Sequence, residues 1–420
     1  MSTETAVAEQ LDLASEIVER EKKYLIQNYG RYPLAIARGK GCYLFDVTGK
    51  RYLDLISGIG VNALGHGHPR ILRVIREQSA KLIHCSNLYF HEYQGKLAER
   101  IARASGLARS FFCNSGTEAM EAALKMVRSH GNHTAPGKTG IVAFENSFHG
   151  RTMGAISVTG QPKYRKDFEP LIPGVKFAPF NDLAALEAAV DDNTAGIVLE
   201  VIQGEGGIYA VSETVARKAR ELADRFNALL VFDEIQCGVG RSGNYFAYQS
   251  FEPAVLPDIM VTAKPLAVGL PLGVVVANEK SAACLAPGMH GSTFGGGALA
   301  CRVAIEVFDI LEELLPQVVA RGEYFRHKLE ALARKHEFVK EVRVFGLMIG
   351  IELRMPGKQL VLDAMQNGLL INCTHDVVLR MLPPFVITEK EIDKAVAGLD
   401  KIMKKATRSW KEFQKENSQA

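Results

Sequence analysis

Two ionisable side chains each stand at the end of an apolar run. Lys264 follows Asp258-Ile-Met-Val-Thr-Ala263, and 31 residues earlier Asp233 closes Ala228-Leu-Leu-Val-Phe-Asp233. Runs of this length and composition predict buried strands. In an open α/β sheet the carboxyl ends of the strands border the ligand crevice, so an acid and an amine delivered there face one bound molecule. A lysine held in such a cleft can lose its proton and attack a carbonyl, while a carboxylate can hold a proton on a ring nitrogen. Pyridoxal phosphate (PLP) needs that pairing.

Three more clusters follow strand-like runs. In Phe111-Phe-Cys-Asn-Ser-Gly-Thr-Glu118, Ser115 and Glu118 have capping-box spacing, and the amides of Gly116 and Thr117 at a helix start would bind a phosphate. The same residues also suit an ordinary helix cap. In Phe144-Glu-Asn-Ser-Phe-His-Gly-Arg-Thr152, Phe148 could stack on a planar ring and Arg151 could clamp a carboxylate, although an aromatic alone is more often core and an arginine more often surface. His149 suits a base, and more readily a satisfied structural histidine. Glu200, Gln203 and Glu205 lie in a glycine-rich stretch that can crowd a ligand or simply turn. His66 and His68 lack a third ligand at metal-binding spacing, so no metal is expected.

Two motif matches fail in context. Gly238-Val-Gly-Arg-Ser-Gly243 fits the dinucleotide pattern, but Asn244-Tyr-Phe-Ala-Tyr-Gln does not begin an amphipathic helix. Val231-Phe-Asp-Glu234 resembles a Walker B strand, yet its partner Gly131…Gly137-Lys138-Thr139 has five intervening residues where four are required, and it runs from helix to strand.

The elements that must position these residues follow from periodicity. Helical spacing covers about 5–29, a strand entering a turn is expected over 39–49, and residues 52–55 read as its partner. Strands are predicted at 110–113, 140–144, 196–200, 229–232, 259–262 and 273–277, alternating with helices, which implies a mostly parallel sheet covered on both faces. From about 306 come long helices, an antiparallel stretch around 342–353, and a last helix with Ile392, Val396, Leu399, Ile402 and Met403 on one face.

The 420 residues suffice for a large core, and the length suggests about two domains. Fifty Lys and Arg against 47 Asp and Glu leave a net charge of +3 with no basic face, which argues against a nucleic-acid partner. No apolar run approaches the roughly 18 residues of a membrane helix. The acidic segment 1–20 lacks the features of a secretory or transit peptide, and the seven cysteines are dispersed, so a cytoplasmic protein with reduced thiols is expected.

With these residues in place, the chain resembles the class III (ornithine/acetylornithine-type) aminotransferases from about residue 32 to 387. The blocks are Asn114-Ser-Gly-Thr-Glu-Ala119, Phe148-His-Gly-Arg-Thr152, Gln203-Gly-Glu205, Asp233-Glu-Ile-Gln-Cys-Gly-Val-Gly-Arg-Ser-Gly243, Ala263-Lys264, Leu270-Pro-Leu-Gly273 and His290-Gly-Ser-Thr-Phe-Gly-Gly296. The resemblance implies fold type I: a mostly parallel sheet in a large domain, residues 76–305, with a smaller α+β domain from both termini, residues 1–75 and 306–420. It implies Lys264 as the Schiff-base lysine and proton shuttle, Asp233 on the pyridine nitrogen, Gln236 on the ring hydroxyl, and Phe148 stacked on the ring. Ser115, Gly116 and Thr117 would hold the phosphate, joined by Thr293 from the neighbouring subunit of a homodimer. Arg151 and Arg380 would be switched carboxylate clamps, with Glu205 shielding Arg380.

Within the family the runs at 57–65 and 87–99 look like those of acetylornithine aminotransferases, and an apolar Ile59 stands where free-ornithine enzymes carry a tyrosine. Ser292 would lie near the substrate. The implied reaction is amino transfer from N2-acetylornithine to 2-oxoglutarate, a ping-pong cycle through pyridoxamine phosphate in arginine biosynthesis. Succinylornithine, ornithine and 4-aminobutyrate are the alternative donors, and an aminomutase or decarboxylase on the same scaffold is the alternative chemistry. The chain departs from the family at Pro265-Leu-Ala-Val268, where glycines are usual, and Pro265 biases residue 264 towards extended backbone. Gly297-Ala298 replaces the usual Asn-Pro.

Overall fold

A meander of β1 (Ile36–Lys40), β2 (Tyr43–Asp46) and β3 (Arg51–Asp54) follows the first helix, Thr3–Tyr24, in the computed structural model, which describes residues 3–417. Here the single strand expected over 39–49 divides in two. Gly41, at φ +55°, turns the chain so that β2 pairs back on β1, and β3 then pairs with β2.

The alternating middle of the chain supplies β4 (Arg109–Cys113), β5 (Gly140–Phe144), β6 (Val175–Ala178), β7 (Thr194–Glu200), the short hairpin β8 (Ile202–Gln203) and β9 (Tyr209–Ala210), then β10 (Leu229–Asp233), β11 (Ile259–Thr262) and β12 (Gly273–Ala277). Seven of them form one sheet in the order β4-β12-β11-β10-β7-β5-β6. Only β12 runs antiparallel to its neighbours. The edge strand β6 has no counterpart among the expected strands, because its Val-Lys-Phe-Ala exposes Lys176 and only Ala178 is fully buried.

Period-two alternation sends side chains to two cores. Leu229, Val231, Val198, Ile259, Val261 and Val275 meet Ala119, Ala122, Ala123 and Val127 of the helix Gly116–Thr134. Leu230, Phe232, Leu199, Met260, Val274 and Val276 face the opposite core. A sheet covered on both faces needs runs that are apolar at every position, which is why these strands were visible as unbroken stretches. Each fully buried Leu, Val or Phe contributes about 1.5–3 kcal/mol.

Because β4, β5, β7, β10 and β11 point the same way, the segments that follow them gather along one edge of the sheet. Lys264 differs from its expected backbone. It has φ +35° and opens a 3-10 turn, Lys264–Ala267, closed by Val268 at φ +41° and ψ +48°. Burial of Pro265, Leu266 and Ala267 in that turn outweighs the pre-proline preference.

A 36-residue helix, Ala298–Ala333, leads to β13 (Val339–Phe345), β14 (Met348–Leu353), β15 (Leu369–Leu370), β16 (Asn372–Thr374) and β17 (Val378–Met381). β13, β14, β17 and β16 form an antiparallel sheet, whereas β15 pairs in parallel with β3 and so joins the two ends of the chain. The last helix, Glu389–Asn417, buries Ile392, Leu399, Ile402 and Met403. No helix among the described residues is long and apolar enough to cross a membrane.

Candidate active site

The strand ends enclose a cavity of about 570 Å³, within the range of small-cofactor sites, lined among others by Thr117, Phe148, Asp233, Gln236 and Lys264. One end of it is built for an anion. Ser115 is the N-cap of the helix Gly116–Thr134, and its Oγ accepts the Glu118 N–H at 3.3 Å. Glu118 does not close the expected capping box. Its carboxylate reaches one residue further back and accepts the Asn114 backbone N–H at 2.7 Å and the Asn114 Nδ2 at 2.9 Å. First-turn amides have no partner inside a helix, so those of Gly116 and Thr117 are donors for a phosphate. Thr117 Oγ1 accepts the N–H groups of Arg151 (3.2 Å) and Thr152 (3.3 Å), which ties the Phe148–Thr152 segment to this end. Gly150 makes that approach possible: at φ +139°, a Cβ there would fall 2.2 Å from Thr117 Oγ1.

Asp233 forms part of the wall, 3% exposed. Its Oδ2 lies 2.7 Å from His149 Nδ1, and its Oδ1 accepts the Ile235 N–H at 3.0 Å. Burial opposes a charge on His149, but the bond and charge of Asp233, with Glu200 behind it, hold the imidazole above its ordinary pKa. His149 Nε2 is buried without a hydrogen-bond partner. Glu200, the last residue of β7, accepts the N–H groups of Phe148 (2.9 Å) and Gly204 (3.0 Å), and burial pushes its carboxyl up to about 7.

Lys264 reaches the same cavity, and desolvation lowers its pKa against the opposing charge of Glu205. A depressed lysine is more often the neutral, nucleophilic amine. The two arginines differ sharply. Arg151 is exposed and has no ion pair among the described residues; its Cζ lies 4.0 Å from the Tyr164 ring centroid and 5.1 Å from that of Phe148. Arg380 is 1% exposed and paired with Glu205. It also donates to Gln236 Oε1 (3.0 Å), Gly204 O (3.3 Å) and Asn372 Oδ1 (3.2 Å). Burial works to raise the Glu205 pKa, yet the Arg380 charge outweighs it and the carboxyl ends below its usual range. Gly204 must lack a side chain, since a Cβ there would sit 2.3 Å from Gln236 Cδ.

Ser115, Gly116, Thr117, Phe148, Arg151, Asp233, Gln236 and Lys264 thus line one cavity, with Arg380 and Glu205 bonded to its wall through Gln236 and Gly204. Ile59, Ser292 and Thr293 do not line it. Ile59 is 38% exposed on a left-handed turn, and Val61 of the same loop lines the wall instead. Ser292 accepts a bond from Asn114 Nδ2 at 3.2 Å, and Thr293 is exposed beside Phe294. Sequence reasoning passed over Ile235 and Val61 as lining residues, and also the bond from His149 to Asp233, which joins side chains 84 positions apart. His66 is engaged elsewhere, its Nε2 lying 2.8 Å from Asp54 Oδ2.

The donor set fits PLP. An anion site, a carboxylate fixed by a histidine, an aromatic face and a desolvated lysine converge on one cavity of cofactor size.

Comparison with known proteins agrees with this chemistry. Residues 24–403 match the family described as aminotransferase class-III. The chain is 45% identical over 388 residues to the acetylornithine aminotransferase of Methanocaldococcus jannaschii, covering 92% of this chain and 97% of that one. It is 46% identical over 381 residues to the acetylornithine aminotransferase of Aquifex aeolicus, covering 90% and 100%. Among solved structures, the ornithine aminotransferase of Toxoplasma gondii, with PLP partly occupying its active site, superposes with a TM-score of 0.88 at 32% identity, covering 96% of this chain and 98% of that one.

Proposed function

The chain belongs to the class-III aminotransferases, which are PLP-dependent, and within that family we propose that it is an N2-acetylornithine:2-oxoglutarate 5-aminotransferase. The observation that carries this reading is the unequal state of the two arginines. An open, unneutralised Arg151 suits a carboxylate present on both substrates, whereas Arg380 becomes available only when Glu205 leaves it. Arg151 takes the α-carboxylate of the acylated ornithine and, in the second half-reaction, the distal carboxylate of glutamate. Arg380 takes the α-carboxylate of glutamate. A buried arginine stripped of its partner costs several kcal/mol, so the shield moves only when another carboxylate replaces it.

When bound, PLP supplies an aldehyde carbon that receives the substrate nitrogen and a ring that withdraws electrons from the neighbouring carbon. Lys264 Nζ moves the proton from the carbon that bears the amino group. Asp233, oriented by His149, holds a proton on the ring nitrogen, and Gln236 faces the ring hydroxyl. Phe148 and Ile235, both on the cavity wall, would hold the ring. Ser115, Gly116 and Thr117 hold the phosphate, joined by Thr293 of the partner subunit in a homodimer. Support for that dimer comes from the exposed apolar side chains Leu88, Tyr89, Phe90 and Phe294, whose segments are joined by Asn87 Nδ2 bonded to Ser292 O (2.9 Å) and Gly295 O (3.0 Å). Seven free cysteines fit a reducing compartment, and a cytosolic location is part of the proposal.

The nearest rival is free-ornithine transamination, which the likeness to the Toxoplasma enzyme favours. The higher identity to acetylornithine aminotransferases favours the acylated donor, and Val61, the residue of the Ile59 loop that lines the wall, offers no group to bond a free α-amino nitrogen. Steady-state kcat/KM for acetylornithine, succinylornithine, ornithine and 4-aminobutyrate, each with 2-oxoglutarate, tests the proposal. Acetylornithine should rank first; a preference for free ornithine would overturn the assignment.

A further inference from the structure

We infer that Tyr164 is a positioning residue for Arg151, a platform that holds the guanidinium without neutralising it and leaves its N–H fork free for a substrate carboxylate. The inference rests on the proposed clamp role of Arg151. Its basis is the contact geometry. The Arg151 Cζ is 4.0 Å from the Tyr164 ring centroid, closer than to Phe148 at 5.1 Å, and the two rings meet edge to face at 5.7 Å and 81°.

A ring face holds a guanidinium through its π-electrons and uses none of its N–H groups. A carboxylate would instead occupy the fork and cancel the charge, as Glu205 does for Arg380. Arg151 is exposed and lacks such a partner among the described residues, so the aromatic contact is what restrains a long, mobile side chain. The ring is itself anchored independently of Arg151. Tyr164 sits in the short turn Pro162–Arg165, preceded by buried Gln161, whose Nε2 donates to Asn146 O at 3.2 Å and Ser147 O at 3.3 Å. Those carbonyls lead directly into Phe148, so the Tyr164 turn and the Arg151 segment are pinned to the same backbone. No hydrogen bond of the Tyr164 hydroxyl occurs among the described residues, which marks the ring as the working part.

The test is rapid-mixing kinetics of each half-reaction with holoenzyme, reading apparent dissociation constant and limiting rate separately. Tyr164→Leu should weaken both acetylornithine and 2-oxoglutarate by about 5–20-fold, a range set by the strength of such contacts. Its limiting rates should stay within about threefold and its cofactor absorption band should be unchanged. Tyr164→Phe should bring both constants back to within about twofold of the parent. Tyr164→Met serves if the leucine variant does not fold. Parental affinity in the leucine or methionine variant, while Arg151→Gln loses both substrates, overturns the inference and leaves the clamp intact. Loss of limiting rate or cofactor in step with affinity also overturns it, because that is the mark of general disruption. If Arg151→Gln itself binds both substrates normally, the clamp reading fails and this inference falls with it.

Discussion

Lys264 and Glu234 are both ionisable groups set against the sheet edge, and burial favours the neutral form of each, lowering the pKa of the amine and raising that of the carboxyl. For Lys264 desolvation favours the neutral amine, the form able to take a proton from carbon. Lys264→Ala should therefore lower turnover by at least about 10²–10⁴-fold while the protein still binds PLP noncovalently. Turnover within about tenfold of the parent would remove Lys264 from the proton-transfer role. Glu234 lies one residue beyond Asp233, fully buried, and accepts the Ala247 and Tyr248 N–H groups, each at 2.9 Å. Burial raises its carboxyl from 4.5 to about 7 despite those bonds. The folded state then holds the proton more tightly than the unfolded chain. Its contribution to stability is complete below 4.5 and is lost as pH rises through about 7. The change is on the order of 3 kcal/mol. Unfolding at several pH values between 5 and 8 should show that decline in the parent and a flatter profile in Glu234→Gln; an equal slope in both would place its origin elsewhere.

At the scale of the element, the turn after Lys264 is where local preference and packing disagree. Val268 is β-branched and left-handed, at φ +41° and ψ +48°. That conformation costs roughly 1–2 kcal/mol. Val268→Gly relieves the strain while losing some packing and adding freedom to the unfolded chain, so its net effect should be within about 1 kcal/mol of zero. Val274→Gly in β12 has no strain to relieve and loses a fully buried side chain, so about 3 kcal/mol should be lost. Urea unfolding of both variants checks the contrast, and equal losses would deny the strain. The strands of the large sheet were legible because a doubly covered sheet demands unbroken apolar runs. β6 was not, because an edge strand tolerates Lys176. The division of β1 from β2 was hidden too, since it depends on one glycine taking φ +55° within an otherwise strand-like run.

For the whole molecule, Leu88, Tyr89, Phe90 and Phe294 are exposed apolar side chains, with Phe90 entirely uncovered, and grouped exposure of this kind marks interaction surfaces. A charge placed there should disrupt a self-complementary interface. Phe90→Asp is expected to shift sedimentation from twice the 46.0 kDa chain mass towards a single chain. If, as proposed, Thr293 of the partner subunit joins the phosphate site, the same variant should lose about tenfold in PLP affinity, the loss of one hydrogen bond to a charged group. A Phe90→Asp protein that sediments as the parent does would remove this face from the dimer interface.

The order of apolar runs determined the parallel sheet, and with it the edge where Asp233 and Lys264 had to emerge, because chain direction and strand ends are local properties of sequence. The phosphate turn was legible for the same reason: a strand, a small-residue turn and a helix follow one another in Phe111 to Ala119. Tertiary structure alone decided what depends on distant segments meeting. It set His149 against Asp233, Glu205 against Arg380, and Tyr164 under Arg151. It also decided that Lys264 takes a positive φ at the head of a 3-10 turn instead of an extended backbone, since only the assembled core could repay that local strain with burial of Pro265, Leu266 and Ala267.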